Sequence, residues 1–158
     1  MERTELLQQL SQMLLEQNIM LVTAESCTGG GVAAACTDLP GSSKWFSHGV
    51  IAYSNTAKQQ FLNVPEALLE QFGAVSEEVV LAMVAGAAGM GQVALAISGV
   101  AGPDGGTEDK PVGTVWFAWG DEEQQMAHRH LFFGSRAEVR DQAVDYAIDG
   151  MLSWLERV

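Results

Sequence analysis

The sequence predicts a single α/β domain of three layers, with a mixed β-sheet between helices on both of its faces. Three observations support this fold class. The chain has 158 residues, which is the size of one domain. Short apolar runs alternate with amphipathic helical patterns up to residue 98, as they do in α/β proteins. Two alternating strands then flank Asp121–Glu123, which predicts an antiparallel hairpin.

The elements before residue 76 follow from apolar spacing and from residues that begin or end helices. Leucines at helical spacing indicate the first helix, and the apolar run after it has the length of a strand. Serine and proline are favoured where helices begin, and glycine is favoured just after they end. The predicted elements are a helix at 4–17, a strand at 19–24, a helix at about 28–37, a strand at Trp45–Tyr53, a short helix capped by Ser54 and a helix from Pro65 to Gly73.

The elements after residue 76 begin with a capping serine followed by two acids, which indicates a long helix. The Ala- and Gly-rich side of this helix predicts close packing on the sheet. The nearly continuous apolar run that comes next is typical of a strand buried on both faces. The predicted elements are a helix from Ser76 to about Met90, a strand at 93–98, a loop at Gly99–Pro111, hairpin strands at 112–119 and 125–133, and a helix at about 136–157 that begins with a Ser135–Glu138 capping box.

Composition and charge exclude several classes of function. The formal net charge of −12 argues against nucleic acid and anionic membranes as partners, because both are negatively charged. No apolar run approaches the roughly 18 residues of a membrane span. The charged first residues also lack the apolar core of a signal peptide, so the cytoplasm is the expected compartment.

Neither a metal nor another cofactor is predicted. Cys27 and Cys36 lie at opposite ends of one predicted helix, about 13 Å apart at helical rise, which is too far for a disulfide. The cysteines and histidines do not have the spacing of a zinc site. His128 and His130 alternate along a predicted strand, where a solvated face is favoured over a metal site.

Small polar or glycine-rich segments follow three of the predicted strands. They are Ser26–Gly30, Tyr53–Lys58 and Ser98–Gly106. Ligands of open α/β sheets bind beyond the carboxyl ends of strands, so these segments predict the functional site. At Ser26, the unpaired N–H groups of a helix start could hold a phosphate or stabilise the oxyanion of an acyl transfer. The simpler interpretation is that Ser26 or Thr28 only caps the helix.

A serine nucleophile needs a base, and no histidine lies in the three segments. Lys58 is the alternative, because a desolvated lysine can lose its charge. Tyr53 could relay the proton or hold the substrate amide. The simpler interpretations are an exposed helix lysine and a core tyrosine whose hydroxyl reaches the rim.

Five motifs in order carry a family resemblance. They are A-E-S-C-T-G-G, G-V-I-A-Y-S-N-x-x-K, G-A-V-S-E-E-V, S-G-V-A-G-P-D-G-G and G-S-R-A-E-V-R. With them, nearly the whole chain resembles the C-terminal domain family of competence/damage-inducible protein A, whose stand-alone members are nicotinamide-nucleotide amidases. The resemblance implies hydrolysis of the carboxamide of nicotinamide mononucleotide to nicotinate mononucleotide and ammonia, which returns a by-product of NAD consumption to NAD synthesis. It also suggests a homodimer.

The resemblance implies roles for individual residues. Ser26 matches the nucleophile, Lys58 the base and Tyr53 a neighbouring catalytic phenol. Arg140 matches a residue that binds the phosphate or positions the site, and Ser98 a substrate or oxyanion contact. Ser135 stands where many members have Asp, and it keeps a capping group. The residues expected to bind substrate are Thr28, Gly29, Gly30, Ser98, Gly102, Gly105, Gly106 and Arg140.

Two other functions remain open at this point. The family includes members without detectable amidase activity, so the chain could be a non-catalytic module that senses the mononucleotide. It could also be a serine amidase for another carboxamide. Under the amidase interpretation, we expect the Gly99–Pro111 loop to move or become ordered when substrate binds, because its glycines let the backbone approach an anionic ligand.

Overall fold

Five strands and six α-helices make up the computed structural model, which describes residues 1–157. The strands are β1 (Met20–Glu25), β2 (Phe46–Ile51), β3 (Gln92–Gly99), β4 (Thr114–Gly120) and β5 (Gln125–Leu131). The helices are α1 (Arg3–Gln17), α2 (Gly31–Thr37), α3 (Asn55–Leu62), α4 (Glu66–Phe72), α5 (Glu77–Ala87) and α6 (Arg136–Glu156). A short 3-10 turn at Ser42–Lys44 precedes β2. The predicted fold class is confirmed.

The strands form one mixed sheet in the order β2-β1-β3-β4-β5. β1 pairs in parallel with both β2 and β3, whereas β4 pairs antiparallel with β3 and with β5. The carboxyl ends of β1, β2 and β3 therefore meet at one edge of the sheet. β1 lies between the other two, so the residue that follows it stands at the centre of this edge.

Helices cover the two faces of the sheet in two separate hydrophobic cores. The core on one face includes Leu21 of β1 with residues of α1, α2 and α6. The core on the other face includes Val22 and Ala24 with residues of α3, α4 and α5. Successive strand residues point to opposite faces. Continued past Ala24, this alternation directs Ser26 toward the face that carries α3.

Several helix and strand boundaries differ from those predicted. α2 begins at Gly31 rather than near residue 28, because Gly29 and Gly30 adopt positive φ angles of 59° and 99° that interrupt a right-handed helix. α5 ends at Ala87, short of Met90. β2 is shorter than predicted at both ends, so Tyr53 lies beyond the strand.

A close approach of two helices fixes the position of α3. A Cβ atom at Gly86 of α5 would overlap the carbonyl oxygen of Leu62, the last residue of α3. The small residues of α5 therefore allow contact with α3 as well as packing on the sheet. Because Lys58 belongs to α3, this contact helps to set the distance between Lys58 and the sheet edge.

None of the helices in residues 1–157 is both long enough and apolar enough to cross a membrane.

Candidate active site

A buried serine–lysine pair lies at the carboxyl edge of the sheet. The side-chain nitrogen of Lys58, Nζ, lies 2.9 Å from Ser26 Oγ. The two residues are 32 positions apart, and both are buried, with 7% of Ser26 and 1% of Lys58 exposed. They meet because β1 and β2 are parallel neighbours whose following segments reach the same edge. The structure thus brings together the two residues for which the sequence predicts nucleophile and base.

Each member of the pair is held by its own local structure. The Ser26 N–H donates to the carbonyl of Ile97 at 3.0 Å, which extends the β1–β3 ladder by one residue. On the other side, Ser54 caps α3 by accepting the Ala57 N–H at 3.0 Å, as the sequence predicts. This cap starts α3 close to the sheet edge, so Lys58 lies in the first turn and reaches inward.

Lys58 is buried without a compensating negative charge. It forms no ion pair with a carboxylate in residues 1–157. Burial is the main cause that lowers its pKa below the ordinary 10.5, and it is opposed only by the nearby Cys27. The neutral amine is therefore more populated than in a solvated lysine. A neutral amine has a lone pair that can accept the serine proton.

The carbonyl of Tyr53 orients the lysine. Lys58 Nζ lies 3.0 Å from this oxygen, and Ser26 Oγ lies 3.4 Å from it. A carbonyl oxygen can only accept hydrogen bonds. It therefore holds one N–H of Lys58 whether the amine is charged or neutral, and in the neutral form the lone pair is left for Ser26.

The phenol of Tyr53 lies at the rim instead of between Ser26 and Lys58. The residue is 58% exposed, and its hydroxyl accepts a hydrogen bond from Arg136 Nη2 at 3.0 Å. Within residues 1–157 the phenol makes no hydrogen bond to the serine or the lysine. The contacts with Ser26 and Lys58 are made by the main-chain carbonyl of the same residue, and a catalytic role of the phenol stays a prediction.

Glu25 organises the turn after β1, a role that the sequence analysis missed. Its carboxylate is 1% exposed and accepts hydrogen bonds from Thr28 Oγ1 at 2.7 Å, Val32 N at 2.9 Å and Ala33 N at 3.1 Å. Glu25 thus supplies the acceptor at the start of α2, where Gly30 has no side chain to do so. The signal in the sequence was an acid just before a helix start, where carboxylates are favoured.

Ser26 and Thr28 do not cap α2, so the simpler interpretation of this turn is wrong. Thr28 is buried, and its hydroxyl donates to Glu25, so the side chain supports the turn from inside. The Gly29 N–H is also used, because it donates to the carbonyl of Ser26 at 3.0 Å. Within residues 1–157 the N–H groups of Cys27, Thr28 and Gly30 have no hydrogen-bond acceptor. They are the unused donors of the turn that follows Ser26.

Arg140 holds the same turn from the side of α6. Its Nε donates to the carbonyl of Cys27 at 3.0 Å, and its Nη2 donates to that of Thr28 at 3.3 Å. The side chain is half-buried and lies so close to Gly29 that a Cβ atom there would be 3.2 Å from Nη2. Of the two roles predicted for Arg140, these contacts correspond to positioning the site.

The loop that follows β3 borders the site on the side of β3. Ser98 is buried at the end of β3, next to Ile97, which binds the Ser26 N–H. The carbonyl of Gly102 accepts from Arg136 Nη1 at 2.9 Å, so Arg136 joins this loop to Tyr53. Lys110 of this loop also donates a hydrogen bond from Nζ to the carbonyl of Phe72 at 2.6 Å.

Two predicted binding residues lie farther along this loop. Gly105 and Gly106 have positive φ angles of 86° and 83°, which glycine adopts readily. Neither makes a hydrogen bond to Ser26 or Lys58 in the part of the chain that the structure describes. Gly106 packs against the backbone of Val112, where a Cβ atom would be 2.9 Å from the nitrogen. Both glycines support the folded conformation of the loop, and their contact with substrate stays a prediction.

The other nucleophiles and potential ligands are separate from this chemistry. Cys27 and Cys36 are free and buried, and burial raises their pKa to about 11 and about 12. Both thiols are therefore protonated near neutral pH, and Cys27 does not compete with Ser26 as a nucleophile. His128 and His130 are exposed on β5. Among residues 1–157 no group of three or more His, Cys, Asp or Glu could hold a metal.

Comparisons with known proteins agree with this architecture. Residues 3–155 match the model of the CinA C-terminal domain. A nicotinamide-nucleotide amidohydrolase PncC from Pseudomonas putida is 54% identical over 151 residues, 94% of each chain. The protein of that name from Escherichia coli K12 is 49% identical over 150 residues, 93% of this chain and 91% of that one.

A crystal structure of a competence-damaged protein (CinA) superfamily protein from Klebsiella pneumoniae 700603 has the same fold. It superposes with a TM-score of 0.94 at 36% identity, and the match covers 100% of both chains. The family resemblance of the five sequence motifs is confirmed by these matches. The chain belongs to the CinA C-terminal domain family.

Proposed function

We propose that this protein is an amidohydrolase that converts nicotinamide mononucleotide to nicotinate mononucleotide and ammonia, as a step of NAD salvage. The observation that carries the proposal is the buried Ser26–Lys58 pair with 2.9 Å between Oγ and Nζ. The proposal is also supported by the name nicotinamide-nucleotide amidohydrolase, which two relatives near 50% identity share.

In the proposed acylation, Ser26 Oγ attacks the carboxamide carbon while its proton passes to the neutral amine of Lys58. The carbonyl oxygen becomes an oxyanion that the free N–H groups of Thr28 and Gly30 stabilise. The Lys58 ammonium then gives its proton to the amide nitrogen, which leaves as ammonia. The product of this half-reaction is an ester between Ser26 and the nicotinoyl group.

Deacylation repeats the same steps with water. Lys58, neutral again after ammonia leaves, removes a proton from a water molecule that attacks the ester carbonyl. Collapse of the second oxyanion expels Ser26 Oγ, which recovers its proton from Lys58. The overall reaction consumes one water, and the pair returns to its starting state without a metal or a cofactor.

The surrounding residues have supporting roles in this proposal. The carbonyl of Tyr53 orients Lys58 Nζ, while Glu25 and Arg140 hold the turn that carries Ser26 and the two N–H donors. Ser98 and the Gly102 loop contact the substrate from the side of β3, and the Tyr53 phenol does so at the rim.

The test is release of ammonia from nicotinamide mononucleotide, with Ser26→Ala as the control for contaminating amidases. Turnover by the wild-type protein, unchanged by EDTA, is expected. Binding of the mononucleotide without ammonia release would instead indicate a sensing module. Release from other carboxamides, such as free nicotinamide, in preference to the mononucleotide would indicate an amidase with a different substrate. Loss of activity in EDTA with recovery on adding zinc would refute the metal-free mechanism.

We also propose that the protein acts as a homodimer in the cytoplasm. Apolar or aromatic side chains near the site are exposed in the single chain, among them Ile51 at 56% and Tyr53 at 58%. A second copy could cover such side chains. A location in the cytoplasm agrees with a phosphorylated substrate, because the charge of the phosphate opposes passage through a bilayer. Light scattering at assay concentration tests the dimer, and a monomer mass there would refute it.

A further inference from the structure

We propose that Arg136 binds the phosphate of the substrate and so makes the site select a nucleotide over its nucleoside. This inference rests on the proposed function and names the residue that sets its substrate class. Arg136 is the first residue of α6 and is exposed. It follows Ser135 in the fifth family motif, and of the two arginines in that motif the sequence predicts a role only for Arg140.

The first argument comes from the distribution of cations. The chain has eight Lys and Arg and a net charge of −12, so a phosphate must be bound by individual cations rather than by a general field. Lys58 is buried at the serine, and Arg3 pairs with Asp141 and Asp145. Among residues 1–157, Arg136 is the one exposed cation that contacts both the segment after β2 and the segment after β3.

The second argument is the position of its guanidinium relative to Ser26. Arg136 Nη2 lies 3.0 Å from the Tyr53 hydroxyl, and the carbonyl of the same tyrosine lies 3.0 Å from Lys58 Nζ. One tyrosine residue therefore spans the interval between the serine–lysine pair and the guanidinium. In nicotinamide mononucleotide a single ribose joins the ring with the carboxamide to the phosphate. Arg136 is thus linked to the serine–lysine pair through one residue, just as the phosphate is linked to the ring with the carboxamide through one ribose.

The third argument is that, within residues 1–157, no carboxylate pairs with the charge of the Arg136 guanidinium, and some of its N–H donors are unused. Its two recorded partners, the Tyr53 hydroxyl and the Gly102 carbonyl, are neutral acceptors. A guanidinium has five N–H donors, so three remain for a ligand. No carboxylate in residues 1–157 forms an ion pair with it. Glu138 of the same turn is bound to the Ser135 N–H at 3.0 Å in the capping box. Arginine suits phosphate because its planar fork can donate two parallel hydrogen bonds.

Arg140 is the alternative cation, and its contacts give it a different role. It is half-buried and donates to the carbonyls of Cys27 and Thr28 inside the turn that carries Ser26. Its removal would disturb Ser26 and lower turnover of every substrate. Removal of Arg136 would instead affect the substrate with a phosphate. This difference separates the two arginines in an experiment.

The experiment compares nicotinamide mononucleotide with nicotinamide riboside, which has the same carboxamide without the phosphate. For Arg136→Gln, kcat/KM for the mononucleotide should fall roughly 10- to 100-fold, mostly through KM, as expected for loss of a charge-assisted phosphate contact. The value for the riboside should change less than about threefold. Arg136→Lys should recover part of the loss, because it keeps the charge but not the fork.

Arg129→Gln is the matched control. Arg129 is also exposed and also donates to a carbonyl of the loop after β3, that of Asp109, at 2.9 Å. The Arg129→Gln variant loses the same charge and the same kind of hydrogen bond, but in residues 1–157 Arg129 forms no hydrogen bond with Tyr53. Normal selectivity is expected of this variant. Equal losses with both substrates in Arg136→Gln, or no loss with either, would overturn the proposal.

Inhibition by ribose 5-phosphate keeps the test decisive if riboside turnover is too slow to measure. Its inhibition constant against the mononucleotide should rise about tenfold in Arg136→Gln, and an unchanged constant would overturn the proposal. Failure of the proposed function has a different signature, since the wild-type protein would then release no ammonia. In that case calorimetric titration with the mononucleotide tests Arg136, and equal affinity of wild type and Arg136→Gln would overturn its role.

Discussion

Replacing Lys58 by methionine should make the protein more stable while abolishing its activity. Lys58 is buried with 1% exposure and forms no ion pair in residues 1–157. Methionine has a similar length and no charge to desolvate. Such a result would mark Lys58 as a residue kept for function at the expense of stability.

The magnitude follows from two opposing effects. The substitution removes hydrogen bonds to Ser26 Oγ and the Tyr53 carbonyl, at a cost of about 0.5–1.5 kcal/mol each. It also removes the desolvation penalty of a buried amine, which is several kcal/mol for a charged group. We expect a net gain of about 1–3 kcal/mol in the free energy of unfolding at neutral pH. For a chain of this size, each kcal/mol raises Tm by about 2–4 °C.

The pH dependence gives the expected gain a second signature. Because burial lowers the pKa of Lys58 below 10.5, the unfolded chain holds a proton on this lysine over a pH range in which the folded protein does not. Wild-type stability therefore rises with pH in that range. The excess stability of Lys58→Met should shrink as pH approaches 10.5, where the unfolded lysine also loses its proton.

Thermal unfolding by circular dichroism at several pH values measures both effects. Lys44→Met is the matched control, because Lys44 is exposed in the 3-10 turn before β2. Its substitution should change the free energy of unfolding by less than about 0.5 kcal/mol. A lower Tm for Lys58→Met at neutral pH would refute the reasoning, since the hydrogen bonds of the amine would then outweigh its burial.

Three further predictions concern the pair and its supports. Wild-type kcat should increase with pH and level off with an apparent pKa below 10.5, because burial favours the neutral Lys58 amine; a rate that falls over this range would contradict a lysine base. Glu25→Gln should lower the free energy of unfolding by about 1–3 kcal/mol, because an amide cannot accept all three hydrogen bonds that the carboxylate accepts; chemical denaturation measures this, and an unchanged midpoint would contradict it. Hydrogen exchange in the Gly99–Pro111 loop should slow when nicotinamide mononucleotide saturates the protein, whereas equal rates with and without ligand would count against ordering of the loop.

Patterns over a few neighbouring residues predicted the helices that carry site residues. Ser54 and Ser135 were predicted as helix caps, and both accept the expected N–H groups. The capping box at Ser135 is complete, with Glu138 as its second member. These interactions join residues three positions apart, so the sequence pattern contains all the information they need.

The meeting of Ser26 with Lys58 required one assumption beyond local pattern. Both residues could be assigned to segments after strands, but only adjacent and parallel strands bring those segments together. The strand order β2-β1-β3 supplies this arrangement. Strand order depends on how the helices pack on the sheet, which the spacing of apolar residues does not determine.

The contacts that the sequence analysis missed depend on three-dimensional geometry. Arg136 and Tyr53 are 83 positions apart, and only the fold of α6 against the sheet edge brings them into contact. Glu25 reaches the start of α2 because the glycine turn reverses the chain, with φ angles of 59° and 99° at Gly29 and Gly30. Nor could the sequence indicate that the carbonyl of Tyr53, rather than its phenol, would contact the pair.

The central claim is that Ser26 and Lys58 act as one catalytic unit, and a double-mutant cycle in kcat tests it most directly. The rate of ammonia release from nicotinamide mononucleotide should fall by roughly three or more orders of magnitude in Ser26→Ala and in Lys58→Ala, because each variant removes one half of the same proton transfer. Ser26→Ala should change substrate affinity far less than turnover.

The double variant decides between the mechanisms. If the pair is one unit, Ser26→Ala/Lys58→Ala should be little slower than either single variant, since the second substitution removes nothing that still works. If the two losses multiply, or if Ser26→Ala keeps near-normal turnover, the two residues do not form a nucleophile–base pair. Direct attack by water would then be the better mechanism.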